Sequence, residues 1–204
     1  MKRVKWLLWT AALVAGVAAF AAQRLGAAFS ERTEKDDFGT VPSFSLTDQR
    51  GATVTERTLH GRPWVANFIF TRCPTACPLL TAKFKALQER LGASSAVRFV
   101  SITVDPEHDT PAVLAAYADK FGADSARWSF LTGPLAEIEK TVVAGFKIHV
   151  GKPTTNAADP TLVDIMHGEH IVLVDARGAI RGYYRAEEAE LTELVEDLRA
   201  LTGD

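Results

Sequence analysis

The sequence predicts an α/β fold in which a mixed β-sheet carries helices on its faces. Segments rich in β-branched and aromatic residues alternate along the chain with segments whose apolar residues recur at helical spacing. One of the strand-like segments, residues 64–70, is apolar except for Asn67, as expected of a strand covered on both faces. Two further segments contain glycine turns between short apolar runs, which is typical of hairpins.

The predicted elements follow one another along most of the chain. In order, they are a hairpin of strands 44–48 and 53–55, a strand over 64–70, a helix from Pro78 to Leu91, a strand over 97–105, a helix over 111–121, a strand over 128–131, a helix over 135–146, a hairpin of strands 171–175 and 179–184, and a last helix over 187–201. Asp109 and Thr110 are the predicted caps of the helix that begins at Pro111. Residues 147–164 break the pattern and predict a long loop or an irregular hairpin.

Both cysteines of the chain, Cys73 and Cys77, lie where the apolar strand gives way to a helix. Side chains four residues apart can approach each other on a helical turn, so the two sulfurs can close a short disulfide or bind one soft metal ion. Their place near a helix N-terminus favours thiolate over thiol. A purely structural cystine is disfavoured because a domain of this length needs no covalent staple. We therefore expect redox or metal chemistry at this pair.

The N-terminal segment has the pattern of a signal peptide or a signal anchor. Lys2, Arg3 and Lys5 precede an uncharged, mostly apolar run over residues 6–22, which is near the minimum length that spans a bilayer. Residues 19–21 offer a small-residue cleavage site, but an uncleaved anchor is favoured. The predicted organisation is a signal anchor over 1–23, a polar linker over 24–40 and an exported globular domain over 41–204.

Composition excludes one class of partner. The chain has 23 basic and 25 acidic residues in an ordinary globular composition, so nothing predicts nucleic-acid binding. The length allows one domain with a substantial core and an extension.

Three sequence blocks carry a resemblance to a known family. The blocks are FTRCPTACP around the cysteines, VDPEHDTP after the next strand, and an isolated His ahead of IVLVDARG. In this order they resemble the Sco/SenC family over about residues 40–202. Those proteins are membrane-anchored, thioredoxin-like copper chaperones that help assemble the dinuclear copper centre of cytochrome c oxidase. The resemblance implies a thioredoxin-like fold with an N-terminal hairpin and an inserted loop before the last strands.

The resemblance also implies a metal and its ligands. Cys73, Cys77 and His167 are the implied copper ligands, with Cu(I) as the main expected ion, to which the soft thiolates are suited, and Cu(II) as a further option. The implied partner is the copper-bearing subunit of cytochrome c oxidase. Because an exported cysteine pair tends to oxidise, a periplasmic thiol reductant is a second expected partner. The expected location is the inner membrane, with the N-terminal segment as a single anchor and the soluble domain in the periplasm or outside the cell.

Other candidate residues are given secondary roles. His170 lies three residues after His167, an odd offset that would place it on the opposite face of a strand, so it is expected not to be a ligand. Asp105 is expected either to tune the site by hydrogen bonding or to serve as a turn residue ahead of Pro106. Met166 is expected to pack as an ordinary apolar residue. His60 and His149 are predicted at the surface.

Two function classes compete with copper delivery: a thiol enzyme, either an oxidoreductase or a peroxidase, and a zinc-binding protein. A thiol-disulfide oxidoreductase without a metal-delivery role is the main alternative, although its usual spacing is CxxC and the spacing here is CxxxC. A peroxidase is disfavoured because Thr71 stands only two residues before Cys73, unlike a peroxiredoxin site. Zinc binding would need a fourth ligand that the sequence does not clearly supply. The sequence leaves open whether copper transfer or thiol reduction is the main role.

Overall fold

The computed structural model describes Gly16 and residues 38–151, 154–155, 163–165 and 168–203. The chain divides into two units, Met1–Asp37 and Phe38–Asp204, and the strands and helices named here belong to the second. The predicted signal anchor and most of the predicted linker lie outside the described residues. Among the helices that are described, none combines the length and the apolar character needed to cross a membrane.

Strands and helices alternate through the described part of the chain, as the sequence predicts. The strands are β1 (Ser45–Asp48), β2 (Thr53–Thr55), β3 (Trp64–Ile69), β4 (Arg98–Thr103), β5 (Trp128–Thr132), β6 (Thr154–Thr155), β7 (Val163–Asp164), β8 (His170–Val174) and β9 (Ile180–Arg185). The helices are α1 (Glu56–Leu59), α2 (Ala76–Leu91), α3 (Pro111–Lys120), α4 (Leu135–Glu139), a π-helix (Lys140–Gly145) that continues α4, and α5 (Glu188–Thr202).

Seven strands form one sheet in the order β2-β1-β5-β4-β3-β8-β9. The central strands β3, β4 and β5 are parallel, whereas β1 and β8 pair antiparallel with β5 and β3. The carboxyl ends of the three parallel strands therefore meet at one edge of the sheet. Because β8 runs the other way, the residues that precede it come to the same edge. We call this edge, with the loops that follow β3, β4 and β5 and the start of β8, the carboxyl edge.

The central strand β3 forms because its sequence suits a position covered on both faces. All six of its residues are buried. Its one polar member, Asn67, accepts a hydrogen bond from Ser101 Oγ at 2.6 Å, and Ser101 Oγ accepts one from Trp128 Nε1 at 2.9 Å. The three side chains link β3, β4 and β5, so the polar residue within the apolar run has a partner in the core.

Aromatic contacts attach helices to this sheet. Phe84 of α2 packs edge-to-face against Phe99 of β4 and Trp128 of β5, with ring centroids 5.0 and 5.2 Å apart. Phe146, which follows the π-helix, packs against Phe68 of β3 at 5.3 Å. Such pairs add about 0.5–1.5 kcal/mol each beyond the area they bury. The contacts of Phe84 fix α2, and with it the cysteines at the start of that helix.

The main departures from the predicted elements lie in residues 135–164. The predicted helix over 135–146 is α-helical only to Glu139 and then widens into the π-helix. A Cβ at Gly145 would lie 2.6 Å from Pro42 Cγ, so the π-helix ends in close contact with the N-terminal part of the domain. Of the predicted loop or irregular hairpin, the described residues form two short antiparallel strands, β6 and β7.

Candidate metal centre

The two cysteines lie at the carboxyl edge, in the loop between β3 and α2 and at the start of α2. A turn bond from Cys73 N to Phe70 O (3.2 Å) reverses the chain, and Cys77 lies in the first turn of α2. Cys77 N donates to Cys73 Sγ at 3.4 Å, and Phe70 N donates to Cys77 Sγ at 3.5 Å. Cys73 and Cys77 are not joined in a disulfide, and Cys73 is 8% exposed and Cys77 0%. The thiols are neighbours in the turn and first helical turn, as the sequence predicts.

The protonation state of Cys77 differs from the sequence-based expectation. Burial raises the pKa of the Cys77 thiol well above its usual range, and the nearby Cys73 and Asp109 raise it further, although the Phe70 N–H lowers it. The expectation that the helix N-terminus favours a thiolate is therefore wrong for Cys77, since desolvation by burial outweighs the hydrogen bond from the Phe70 N–H. A cation bound to the sulfur would compensate the buried negative charge.

A buried carboxylate fastens the start of the cysteine loop. Asp109 accepts hydrogen bonds from Thr71 N (3.1 Å), Thr71 Oγ1 (2.5 Å) and Thr103 Oγ1 (2.5 Å). It is 0% exposed, and burial raises its pKa because the bonds from Thr103 and Thr71 offset desolvation only in part. The loop that carries Cys73 is thereby tied to the end of β4.

Sequence reasoning missed this role of Asp109. It was predicted as a helix cap, but Thr110 is the N-cap of α3 and its side chain accepts from Val113 N at 3.4 Å. The signal was present in the order of the residues, because a Thr directly before Pro111 is sufficient to cap a helix with Pro at its first position. The preceding Asp was then available for another partner.

Asp105 is a turn residue, as one of its two expected roles required, and its side chain also hydrogen-bonds Arg72 next to Cys73. Its Oδ2 accepts from Arg72 Nε at 2.9 Å and Arg72 Nη2 at 2.6 Å. Its main-chain carbonyl accepts from His108 N and Asp109 N, which closes the turn after β4. Arg72 immediately precedes Cys73, so this ion pair is a second tie between the cysteine loop and the loop after β4.

A groove of about 480 Å³ runs beside the first turns of α2. Thr75 and Ala76, which stand between the two cysteines in sequence, line it together with Glu169 and His170 from the start of β8. His170 is half-buried and its ring meets Tyr183 edge-on, with centroids 6.5 Å apart. The residues that lead into β8 therefore come close to the cysteine loop.

The third predicted ligand, His167, lies outside the described residues, as does Met166. Because β8 begins at His170, strand alternation does not relate His170 to His167, and that argument against His170 as a ligand is wrong. Within the described residues, no three His, Cys, Asp or Glu side chains are grouped so as to hold a metal ion. His60 and His149 are exposed, as predicted.

Comparison with known proteins identifies the family. The family model described as SCO1/SenC matches residues 31–203. The chain is 33% identical over 163 residues to the SCO1 protein homolog of Bacillus subtilis, a match that covers 78% of this chain and 81% of that protein.

Solved structures give the same result. The structure of Bradyrhizobium japonicum ScoI with copper bound has a TM-score of 0.69 and 28% identity, and the match covers 80% of this chain and 99% of that one. BsSco, a member of the Sco family of cytochrome c oxidase assembly proteins in which a disulfide switch was identified, has a TM-score of 0.68 and 30% identity, with 82% and 96% covered. The fold is thioredoxin-like, as the resemblance implied, and the chain belongs to the SCO1/SenC family.

Proposed function

We propose that this protein is a copper chaperone that binds Cu(I) through Cys73, Cys77 and His167. The observation that carries the proposal is the pair of neighbouring cysteines, not joined in a disulfide, at the carboxyl edge of a SCO1/SenC chain. Thiolate sulfur is a soft ligand and selects a soft ion such as Cu(I). The recipient that we propose is the copper-bearing subunit of cytochrome c oxidase, since BsSco belongs to a family of oxidase assembly proteins and ScoI was solved with copper bound.

The topology of β8 supports His167 as the third ligand. β8 is antiparallel to β3, with Ala66 opposite Val172, so the residues just before β8 approach the end of β3. Glu169 and His170 already share a groove with Thr75 and Ala76. His167 precedes Glu169 by two residues in the sequence, and on this ground we propose that it serves the same site. Imidazole nitrogen is a suitable partner for copper beside two thiolates.

The surrounding residues give each step of copper handling a physical basis. The bonds from Asp109 and Asp105 hold the cysteine loop in place before copper arrives, which lowers the ordering cost of binding. Burial of both sulfurs limits the access of water and oxidants. Cys73 is the more exposed thiol, so incoming ligands of a recipient would replace it before Cys77.

Cu(I) titration of the reduced full-length protein in detergent tests the ligand set. Replacing Cys73 or Cys77 by Ser should weaken binding most, because each thiolate provides both charge and softness. His167→Ala should weaken it less and leave the fold intact, and His170→Ala is the matched control with little effect. Equal affinities for His167→Ala and the parent would remove His167 from the ligand set. If His170→Ala had the larger effect, His170 would take its place.

The same titration on the oxidised protein tests whether the cysteines are the ligands. Copper binding requires reduced and deprotonated thiols, so a Cys73–Cys77 disulfide should abolish Cu(I) uptake. We also propose that a periplasmic thiol reductant keeps the pair reduced. Equal uptake by both forms would contradict the central assignment.

The proposed location is the periplasmic side of the inner membrane, with residues 1–23 as the anchor and 24–40 as the linker to a domain over 41–204. The basic residues ahead of the apolar run support this orientation. Fractionation should place the full-length protein with the membranes, and recovery from the soluble cytosol would contradict the proposal.

The unequal burial of the two thiols favours a second candidate function, the reduction of a disulfide in the recipient. Cys73 would attack one sulfur of that disulfide and release the other as a thiol, and Cys77 would then attack Cys73 Sγ and release the second thiol. The protein would end as the Cys73–Cys77 disulfide and the recipient with two thiols. Cys77→Ser should trap the mixed disulfide, which non-reducing gels would detect. Release of the recipient's thiols without this intermediate would contradict the sequence of steps.

A further inference from the structure

A second, larger groove, of about 830 Å³, borders the loop that follows β4. Two of the residues that line it, Leu135 and Val143, are 46% and 42% exposed. In the described part of the chain only two other large apolar side chains, Phe38 and Leu79, are as exposed. Large apolar side chains clustered in a groove rather than scattered mark a contact surface. We call this feature the α4 groove; its lining includes Val104, Asp105, Glu107, Leu135, Glu139, Lys140 and Val143.

The wall of the α4 groove has an unusual backbone. Val143 lies in the π-helix, and π-helical turns occur frequently at functional sites. Shortly after it, Lys147 has φ of 58°, a left-handed conformation that residues other than glycine rarely adopt. Contact between Gly145 and Pro42 fixes the end of the π-helix. The packing thus maintains a backbone that presents Val143 to the groove.

The charges at the α4 groove are unequal. Among the described residues, the exposed Glu107 and Glu139 have no ion-pair partner, whereas Asp105 is paired with Arg72 and Lys140 with Glu137. The uncompensated charge is therefore negative. A complementary partner would place Lys or Arg around an apolar contact, since matched potentials favour encounter and fix orientation.

The α4 groove also lies next to the cysteine loop. Asp105 lines the groove and binds Arg72 Nη2 at 2.6 Å, and Arg72 directly precedes Cys73. A protein surface seated in the groove would therefore be adjacent to the more exposed thiol.

We propose that the α4 groove is the docking surface for the recipient, the copper-bearing subunit of cytochrome c oxidase, which would approach Cys73 and Cys77 from this side. The partner's contact is an apolar side chain framed by Lys or Arg residues. This inference rests on the proposed function and adds to it where the partner binds and by what chemistry. The apolar contact supplies affinity, and the acidic side chains supply orientation and a dependence on salt.

Calorimetric or surface-based binding of the full-length protein in detergent to the copper-free, reduced copper-bearing subunit of cytochrome c oxidase tests the proposal. Leu135→Ser combined with Val143→Ser should weaken binding, raising the dissociation constant by about tenfold or more. Glu107→Lys combined with Glu139→Lys should weaken it by about fivefold at low salt and reduce its salt dependence. Both pairs are exposed, and thermal unfolding of each variant checks that the fold is retained.

Matched controls separate the groove from the surface in general. Phe38→Ser changes an exposed aromatic residue that lines neither this groove nor the one beside the cysteines, and Glu196→Lys reverses an exposed acidic residue of α5 that has no ion-pair partner in the described structure. Both should bind as the parent does. Unchanged binding by the groove variants would overturn the proposal, as would equal losses in the controls. Self-association of the parent that the groove variants abolish would also overturn it, because the groove would then bind a second copy.

Cu(I) titration of the same variants keeps this proposal distinct from the proposed function. The groove variants should bind Cu(I) as the parent does, because none of the changed residues is a proposed ligand. Failure of the parent to bind Cu(I) would contradict the copper function, whereas docking is measured without copper and is judged independently. If the parent bound Cu(I) but did not bind the copper-bearing subunit, the docking proposal alone would be overturned.

Discussion

Two buried aspartates at opposite edges of the sheet have opposite electrostatic surroundings. Asp109, at the carboxyl edge, accepts only from the neutral donors of Thr71 and Thr103, and in the described structure it forms no ion pair. Asp175 follows β8 at the other edge and accepts from the guanidinium of Arg181 at 2.5 Å. Burial favours a higher pKa at both carboxyls. At Asp109 this effect prevails and the pKa is raised, whereas at Asp175 the hydrogen bonds outweigh burial and leave the pKa below its usual value.

The difference separates stability from function. Arg181 neutralises the charge of Asp175, and this ion pair holds the turn between β8 and β9 and so stabilises the fold. The carboxyl edge retains an uncompensated buried carboxylate whose hydrogen bonds position the cysteine loop. Groups with perturbed pKa values of this kind concentrate at functional sites.

The turn at Asp175 has a close counterpart at Asp48. The pattern Asp-x-Arg-Gly-Ala occurs at both, and in each the Asp Oδ1 accepts from two main-chain N–H groups, at 2.9 and 2.8 Å for Asp48 and at 2.8 and 3.0 Å for Asp175. Gly51 and Gly178 have φ of 82° and 88°, which favours glycine at this position. Asp48 is paired with Arg50 inside its turn, whereas Asp175 is paired with Arg181 outside it.

The largest expected effect is on stability at Asp175. Asp175→Ala should lower the free energy of unfolding by about 3 kcal/mol, because it removes the buried carboxylate that accepts from Arg181 and from two main-chain N–H groups. Urea unfolding measures this loss. Arg177→Ala, at an exposed side chain 3.9 Å from the same carboxylate, is the control and should be nearly neutral. A loss below about 1 kcal/mol for Asp175→Ala would contradict the assigned role.

Asp109→Asn should affect copper more than stability. The amide keeps the shape but cannot accept all three hydrogen bonds, so the cysteine loop should loosen while the cost of the buried charge disappears. We expect a change of about 1 kcal/mol or less in unfolding free energy and about tenfold weaker Cu(I) binding. Asp175→Asn is the control, with unchanged Cu(I) affinity in the fraction that is folded. Parent-like Cu(I) affinity for Asp109→Asn would remove its positioning role.

The two aspartates should give opposite pH dependences of stability in the copper-free protein. The pKa of Asp175 is lowered from its ordinary value of 3.8, so its contribution is fully present above 3.8 and is lost as the pH falls through its folded-state pKa. The pKa of Asp109 is raised from 3.8, so its contribution is present below 3.8 and is lost as the pH rises through its folded-state pKa.

Urea unfolding at several pH values measures both contributions. The parent's excess in unfolding free energy over Asp175→Asn should grow as the pH rises to about 3.8. Its excess over Asp109→Asn should shrink as the pH rises above 3.8. The same trend in both variants would contradict the comparison.

The smallest expected effect is on the stability of the turn at Asp48. Arg50 is 57% exposed, whereas Arg181 is 16% exposed, so solvent screens the Arg50–Asp48 pair much more. Arg50→Ala should cost about 0.5 kcal/mol of unfolding free energy, and Arg181→Ala should cost clearly more. Equal losses would show that burial does not distinguish the two turns.

The sequence by itself determined the order of strands and helices and the place of the cysteines. Alternation, helical spacing and turn chemistry are local properties, so they fixed the buried strand before Cys73, the helix that contains Cys77 and both hairpins. The similarity of the Asp48 and Asp175 turns was equally readable, because five consecutive residues carry it.

Only the tertiary structure decided which distant residues meet. Asp109 reaches Thr71 across 38 positions of sequence, and Gly145 meets Pro42, so neither the carboxylate beneath the cysteine loop nor the close contact at the end of the π-helix was visible in a local pattern. The raised pKa of Cys77 has the same origin. The sequence shows the start of a helix, which favours a thiolate, but the burial that reverses this preference comes from the packing of the whole domain.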